Sequence, residues 1–204
     1  MDNKSYQDHF FKKAKSQGYR SRSAFKLIEL NKKFKFLKNR INLLDLGSSP
    51  GGWCQVAKEK VKNGKIIGLD KKAVDKIKGI NFLKGDFLDE KIRSSILSYF
   101  DSRIDVILSD MAADTTGNKS LDCIRTNQLC LQVLEFSKKV LGKNGAVISK
   151  LFMGEDFEEI KLNAATTIIS NKIKNITFFS TSIALNNDGF NDLQSTILKF
   201  FEIC

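Results

Sequence analysis

Apolar residues fall along this chain in short, nearly continuous runs separated by amphipathic stretches. The runs are Ile41-Asn42-Leu43-Leu44-Asp45-Leu46, Lys65-Ile66-Ile67-Gly68-Leu69-Asp70, Ile80-Asn81-Phe82-Leu83-Lys84-Gly85-Asp86, Asp105-Val106-Ile107-Leu108-Ser109-Asp110 and Gly145-Ala146-Val147-Ile148-Ser149-Lys150-Leu151-Phe152. Periodicity alone does not separate a short buried strand from a helix fragment, so the strand reading rests on length and on the turn residues that follow. Helical stretches are expected between them, near Val74 to Lys78, from Asp89 to Tyr99, and from Leu121 to Leu141 with Gly142 as C-cap. Strands alternating with helices at this spacing predict an α/β fold, a mostly parallel sheet with helices on both faces. The tail, rich in Asn, Thr and Ser, is expected to close the sheet with an antiparallel pair, Ile176–Ser180 and Ser195–Phe201.

The first apolar run breaks into Gly47-Ser48-Ser49-Pro50-Gly51-Gly52-Trp53, and an amphipathic segment with Trp53, Val56, Ala57 and Val61 follows. A strand, glycine loop and helix in an α/β sheet place a ligand at the carboxyl end of the strand, where bare glycines admit it to the backbone. No Gly-Lys-Ser or Gly-Lys-Thr follows, which excludes a triphosphate-binding P-loop. The glycine spacing is also not G-x-G-x-x-G, the dinucleotide pattern.

The 204 residues, 42% hydrophobic, suffice for one well-cored domain. We expect a flexible basic arm over 1–18, anchored by Phe10 and Phe11, and a single domain over 19–204. Ser21 or Ser23 is expected to cap a helix whose apolar face includes Phe25 and Ile28, with Lys26 in its first turn against the helix dipole. Nine of the eleven net positive charges lie in residues 1–40, which carry twelve lysines and arginines against three carboxylates. A basic end on a nearly neutral body is the footprint of a polyanion, most often nucleic acid. No apolar run reaches membrane-spanning length and no signal-peptide core opens the chain, so a soluble cytoplasmic protein is expected. The four cysteines form no C-x-x-C pair and the one histidine, His9, lies in the arm, so no metal site is expected.

Parallel strands deliver their carboxyl ends to one edge, so Asp45, Asp70, Asp86 and Asp110 should gather around the glycine loop with no arginine beside them. Such an edge suits a ligand carrying positive charge and hydroxyls better than a pyrophosphate. S-adenosylmethionine fits, with Asp70 for its ribose and Asp86 for its adenine amino group.

Arg20-Ser21-Arg22-Ser23-Ala24-Phe25-Lys26-Leu27, Asp45-Leu46-Gly47-Ser48-Ser49-Pro50-Gly51-Gly52-Trp53, Gly85-Asp86-Phe87, Ser109-Asp110-Met111-Ala112 and Ser149-Lys150-Leu151-Phe152-Met153-Gly154 resemble, in order, the motifs of the FtsJ/RrmJ (RlmE) ribosomal RNA 2′-O-methyltransferases. The resemblance spans about Tyr19 to Phe157. It implies a Rossmann-like methyltransferase sheet of seven strands, S-adenosylmethionine as methyl donor, and a uridine ribose of large-subunit rRNA as acceptor. Gly51, Trp53, Asp70, Asp86 and Asp110 match the family's cofactor contacts, and Lys26, Asp110 and Lys150 match three of its catalytic Lys-Asp-Lys-Glu tetrad. The chain departs from the family at the fourth place, where Gln194 stands for the glutamate and Asp192 lies nearby.

A ribose hydroxyl is a poor nucleophile, so transfer from a sulfonium needs proton removal and in-line alignment. Lys150 is the expected base, with Lys26 as the neighbouring cation that lowers its pKa and Asp110 as its orienting partner. Glutamine hydrogen-bonds but cannot share a proton, so the fourth role is not carried over. Two other readings remain: an RNA-binding ribosome-assembly factor of the same fold with weak or no catalysis, and a 2′-O-methyltransferase acting on tRNA or an mRNA cap. A monomer is expected.

Overall fold

The computed structural model describes residues 3–101, 103–154, 156–171, 175–179 and 197–200. Its elements are α1 (Asn3–Ser16), α2 (Ser23–Phe34), β1 (Asn42–Leu46), α3 (Gly52–Lys60), β2 (Lys65–Asp70), β3 (Asn81–Lys84), α4 (Glu90–Tyr99), β4 (Ile104–Ser109), α5 (Lys119–Val140), β5 (Leu141–Lys150), α6 (Phe157–Asn171), β6 (Asn175–Phe179) and β7 (Ile197–Phe200). The strands form one seven-stranded sheet in the order β3-β2-β1-β4-β5-β6-β7. The first six are parallel, and β7 runs antiparallel to β6, as the closing pair was expected to.

The strands read as continuous apolar runs because the sheet buries both faces. Alternate residues go to opposite sides: Leu44, Leu46, Ile67, Leu69, Ile107 and Val147 join one core, and Leu43, Ile66, Val106, Leu108, Ala146 and Ile148 the other. Helices α4, α5 and α6 cover the first core through Ile96, Val133, Leu134 and Ile160, and α2 and α3 cover the second through Ala24, Leu27, Leu30, Val56 and Ala57. This is the expected α/β arrangement.

Several local expectations are corrected. Residues 3–16, expected as a flexible arm, form α1; its Ala14 is buried and its Phe10 ring lies 5.8 Å from Phe25. No helix forms over Val74–Lys78, because the Arg20 guanidinium takes the carbonyls of Asp75 and Lys76, acceptors that a helix would reserve for its own amides. Neither Ser21 nor Ser23 caps α2 through its side chain; their hydroxyls bond to each other at 2.6 Å, and Arg22 is the N-cap residue. Gly142 is not a C-cap, since α5 passes at Leu141 directly into extended chain that pairs with Ile104. Among the described residues no helix is long and apolar enough to cross a membrane.

Candidate active site

The glycine loop is pinned where β1 and β2 end side by side. Gly47 and Ser48 donate their N–H groups to the Leu69 carbonyl at 2.9 and 3.1 Å, and Ser49 donates to Asp70 Oδ2 at 2.9 Å. Gly51 opens α3 at φ +110°, a conformation that side chains rarely adopt. At Gly52 a Cβ would stand 2.2 Å from Ser21 Oγ, so the loop and the chain entering α2 touch backbone to side chain.

That contact belongs to a larger seam. Arg20 donates to the Pro50 carbonyl at 3.2 Å, its N–H reaches Gln55 Oε1 at 2.8 Å, and Trp53 Nε1 donates to the Ser23 carbonyl at 2.8 Å. An arginine therefore does stand at this edge, contrary to expectation. It arrives from outside the strands, and its donors are spent on carbonyls of the loop and of Asp75 and Lys76. The seam fixes α2 relative to the sheet and with it Lys26, one turn into that helix. Trp53 is 3% exposed and packs at 5.4 Å on Phe179, which also lies 5.8 Å beneath the Lys26 ammonium.

Lys26, Asp110 and Lys150 come from α2, the end of β4 and the end of β5. Lys150 Nζ lies 3.0 Å from Asp110 Oδ1, with side chains 13% and 20% exposed. Burial pushes the Lys26 pKa down; Asp110 opposes the shift, and Lys150 and Arg22 add to it. The site thus pairs Lys150 with Asp110 and sets Lys26 within their electrostatic reach, with the Arg22 guanidinium near enough to be felt.

The remaining strand-end acids differ from one another. Asp70 accepts from Ser49 N and, at 2.8 Å, from Lys72 N, which makes it part of the loop's frame. Asp86 accepts from Leu88 N at 3.0 Å and pairs with Lys71 at 2.9 Å; the Leu88 bond first, and Lys71 next, hold its carboxyl below the usual range. Asp45 is wholly buried, and burial raises its pKa to about 7 even though Cys54 Sγ lies 3.0 Å from Oδ2.

Buried polar atoms without a hydrogen-bond partner are costly, and their location is informative. Among the described residues there are four: Asp45 Oδ1, Ser48 Oγ, Asp110 Oδ1 and Asn163 Oδ1. The Asp110 oxygen faces Lys150 as an ion pair without hydrogen-bond alignment. Three of the four thus lie at the carboxyl ends of β1 and β4 or in the loop between β1 and α3. The Ser48 hydroxyl, the bare glycines and the strand-end carboxylates of Asp70, Asp86 and Asp110 together suit a small ligand bearing hydroxyls, amino groups and positive charge. No group of His, Cys, Asp and Glu suited to a metal ion occurs among the described residues.

The FtsJ-like methyltransferase profile matches residues 19–170. This chain belongs to that family. Among its relatives, the ribosomal RNA large subunit methyltransferase E of Pelagibacter ubique is 43% identical over 158 residues, covering 78% of each chain. The protein of the same name from Rickettsia akari is 42% identical over 153 residues, covering 72% of this chain and 67% of its own. A crystal structure from Plasmodium falciparum, described as a ribosomal RNA methyltransferase, superposes with a TM-score of 0.67 at 37% identity, over 71% of this chain and 84% of that one. The match begins at the seam, so this methyltransferase keeps the Arg20-to-Lys26 segment within its shared portion.

Sequence reasoning missed Arg20 as the clip between loop and helix, although two arginines flanking a serine ahead of a helix were in view. Gln194 and Asp192, the stand-ins for the fourth tetrad position, lie outside the described residues.

The buried Asp45 yields a pH prediction. Its folded pKa, about 7, lies above the unfolded value of roughly 3.9. Its contribution is therefore fully favourable below the unfolded pKa and is lost as pH rises through the folded one. Relative to wild type, Asp45→Asn is expected to gain stability between pH 5 and pH 8, at about 1.4 kcal/mol per pH unit up to the folded pKa and no further above it. Urea unfolding at the two pH values checks it, and an equal difference at both would remove Asp45 as the cause.

Proposed function

We propose that the chain transfers a methyl group from S-adenosylmethionine to the 2′-hydroxyl of a uridine ribose in large-subunit ribosomal RNA. The observation that carries the reading is the Lys26, Asp110 and Lys150 cluster, set beside the glycine loop and its unpartnered Ser48 hydroxyl. The names of the relatives above 40% identity, ribosomal RNA large subunit methyltransferases, support rRNA as the acceptor. Gly51 and the Trp53 backbone border the cofactor; Asp70 and Asp86 face its ribose and adenine; Asp110 lies toward its charged sulfur. S-adenosylmethionine supplies the electrophilic methyl when bound.

The chain's own part is to hold the acceptor oxygen in line and take its proton. Lys150 is the proposed base at Nζ, oriented by Asp110, with Lys26 as the second cation steadying the acceptor. A second assignment, with Lys26 as base, is favoured by its lowered pKa, since a lysine so shifted is more often neutral. We read residues 19–204 as one methyltransferase domain, active as a cytoplasmic monomer. The test is labelled methyl incorporation into large ribosomal subunits and free rRNA, followed by mapping of the 2′-O-methyl position. Cofactor binding without incorporation would sink the enzyme reading and favour an RNA-binding assembly factor, for which the glutamine at position 194 gives a motive. Incorporation only into tRNA or a capped mRNA would replace the substrate.

The basic helix α1 extends the acceptor surface, with Lys12 and Lys15 exposed on it. Reversing both, Lys12→Glu with Lys15→Glu, is expected to weaken RNA binding and flatten its dependence on salt. For two lost phosphate contacts the log–log slope falls by about 1.4 to 1.8. An unchanged slope would leave these lysines as solvated surface.

A further inference from the structure

Two adjacent polar residues of α5, Thr126 and Asn127, are 2% and 0% exposed. Asn127 Oδ1 accepts from Phe152 N at 2.8 Å, and Nδ2 donates to the Phe152 carbonyl at 3.0 Å and to Asp156 Oδ1 at 2.8 Å. Both amide donors and the carbonyl are thereby engaged. Thr126 Oγ1 accepts from Ala113 N at 3.2 Å. Phe152 lies two residues beyond Lys150, and Ala113 three beyond Asp110. One turn of one helix therefore holds the main chain that follows each member of the ion pair.

The sheet makes such a hold necessary. Lys150 is the last residue of β5, in register with Phe179, and Leu151 still donates its N–H to the Phe179 carbonyl at 2.9 Å. β5 ends at Lys150, and the backbone groups of Phe152 find their partners on the Asn127 side chain. An asparagine side chain carries the same donor and acceptor as a peptide unit, so Asn127 stands in for the strand residue that is missing. An apolar residue of similar volume would fill the space and leave both Phe152 groups unpaired. Catalytic geometry is sensitive to such displacement: a shift of about 1 Å in a reacting group costs on the order of a hundredfold in rate.

We propose that Thr126 and Asn127 form a positioning brace on α5 that sets the reach of Lys150 toward Asp110 by holding the chain just after each. The brace rests on the reading of Lys150 and Asp110 as the working pair of the methyl transfer. Neither residue touches the reacting atoms; both act through the main chain.

The test uses the full chain with Asn127→Leu, Thr126→Val, Asn127→Asp and the swap Asn127→Asp with Asp156→Asn. Rates are expressed per cofactor-binding site, so that unfolded protein does not count. Asn127→Leu is expected to lower kcat about thirtyfold while the cofactor Kd and the KM for RNA stay within about twofold, and Thr126→Val to lower kcat by about threefold. Asn127→Asp sets a carboxylate against Asp156 and the Phe152 carbonyl and should fall at least as far as leucine. The swap returns a donor opposite it and is expected to recover about tenfold.

Hydrogen exchange gives a readout apart from activity: in Asn127→Leu the Phe152 amide should exchange at least tenfold faster, with Val147 and Ile148 unchanged. An undiminished kcat in Asn127→Leu, beside an active wild type, would overturn the brace alone, whatever the exchange shows. A lowered kcat without faster Phe152 exchange would overturn it too, because the effect would not run through that backbone. A wild-type chain that transfers no methyl would overturn the catalytic reading and the brace together, so the two failures remain distinguishable.

Discussion

Lys150→Ala is expected to lower methyl transfer by about a thousandfold or more, with the cofactor Kd moving by no more than about twofold. A positioned acid or base contributes roughly 10²- to 10⁴-fold. Lys150 lies at the upper part of that range because its ammonium is also the 3.0 Å partner of Asp110. The alanine side chain leaves that carboxylate, 20% exposed, without its ion-pair partner. Arginine substitutions then separate the two lysines. Arginine keeps the charge but stays protonated throughout the working pH range, so it replaces a cation and not a base. On the proposed assignment Lys150→Arg is nearly inactive and Lys26→Arg retains a measurable rate. The reverse order would move the proton transfer to Lys26, and full activity in both would remove lysine from that step. Single-turnover kinetics with enzyme in excess reads the chemical step directly.

Asp110→Asn is the second large effect, and it reaches both the cofactor and the acceptor side. The carboxylate is the group that opposes the downward push on the Lys26 pKa, and it lies toward the sulfonium in the proposed complex. Its loss leaves two ammonium groups near a cationic ligand with nothing of opposite charge between them. We expect the cofactor Kd to weaken at least tenfold, about 1.4 kcal/mol, and the single-turnover rate at saturating cofactor to fall by about a hundredfold. Calorimetric titration with S-adenosylmethionine checks the first and quench kinetics the second. An unaltered Kd would place Asp110 with Lys150 alone and away from the sulfur.

Legibility in the sequence followed from how many partners each feature needs. Buried parallel strands such as Leu43 to Leu46 and Val106 to Ser109 show as nearly continuous apolar runs because both faces are covered, and the glycines after the first run are needed by the loop itself. Lys26, Asp110 and Lys150 stood out because each is a charged residue at a helix start or a strand end, where topology alone sends it toward one edge. The failures share a different cause. A helix over Val74–Lys78 satisfies local propensity, but Arg20, far away in sequence, holds two of the carbonyls it would need. The basic arm reads as solvated chain until Phe10 finds Phe25, and Gly142 reads as a cap until β4 draws Leu141 into the sheet.

By itself, then, the sequence determined the alternation of strand and helix, the glycine loop, the row of strand-end acids and the charge bias of the first forty residues, since each is written in contiguous residues or a fixed period. Only the tertiary structure decided that Asp45 is the sealed carboxyl and Asp86 the one paired with lysine, that burial acts on Lys26, and that Arg20 bonds to the glycine loop and Asn127 to the main chain just after Lys150. Those outcomes depend on desolvation and on hydrogen bonds between residues distant in the chain, and neither quantity exists until the sheet has brought them together.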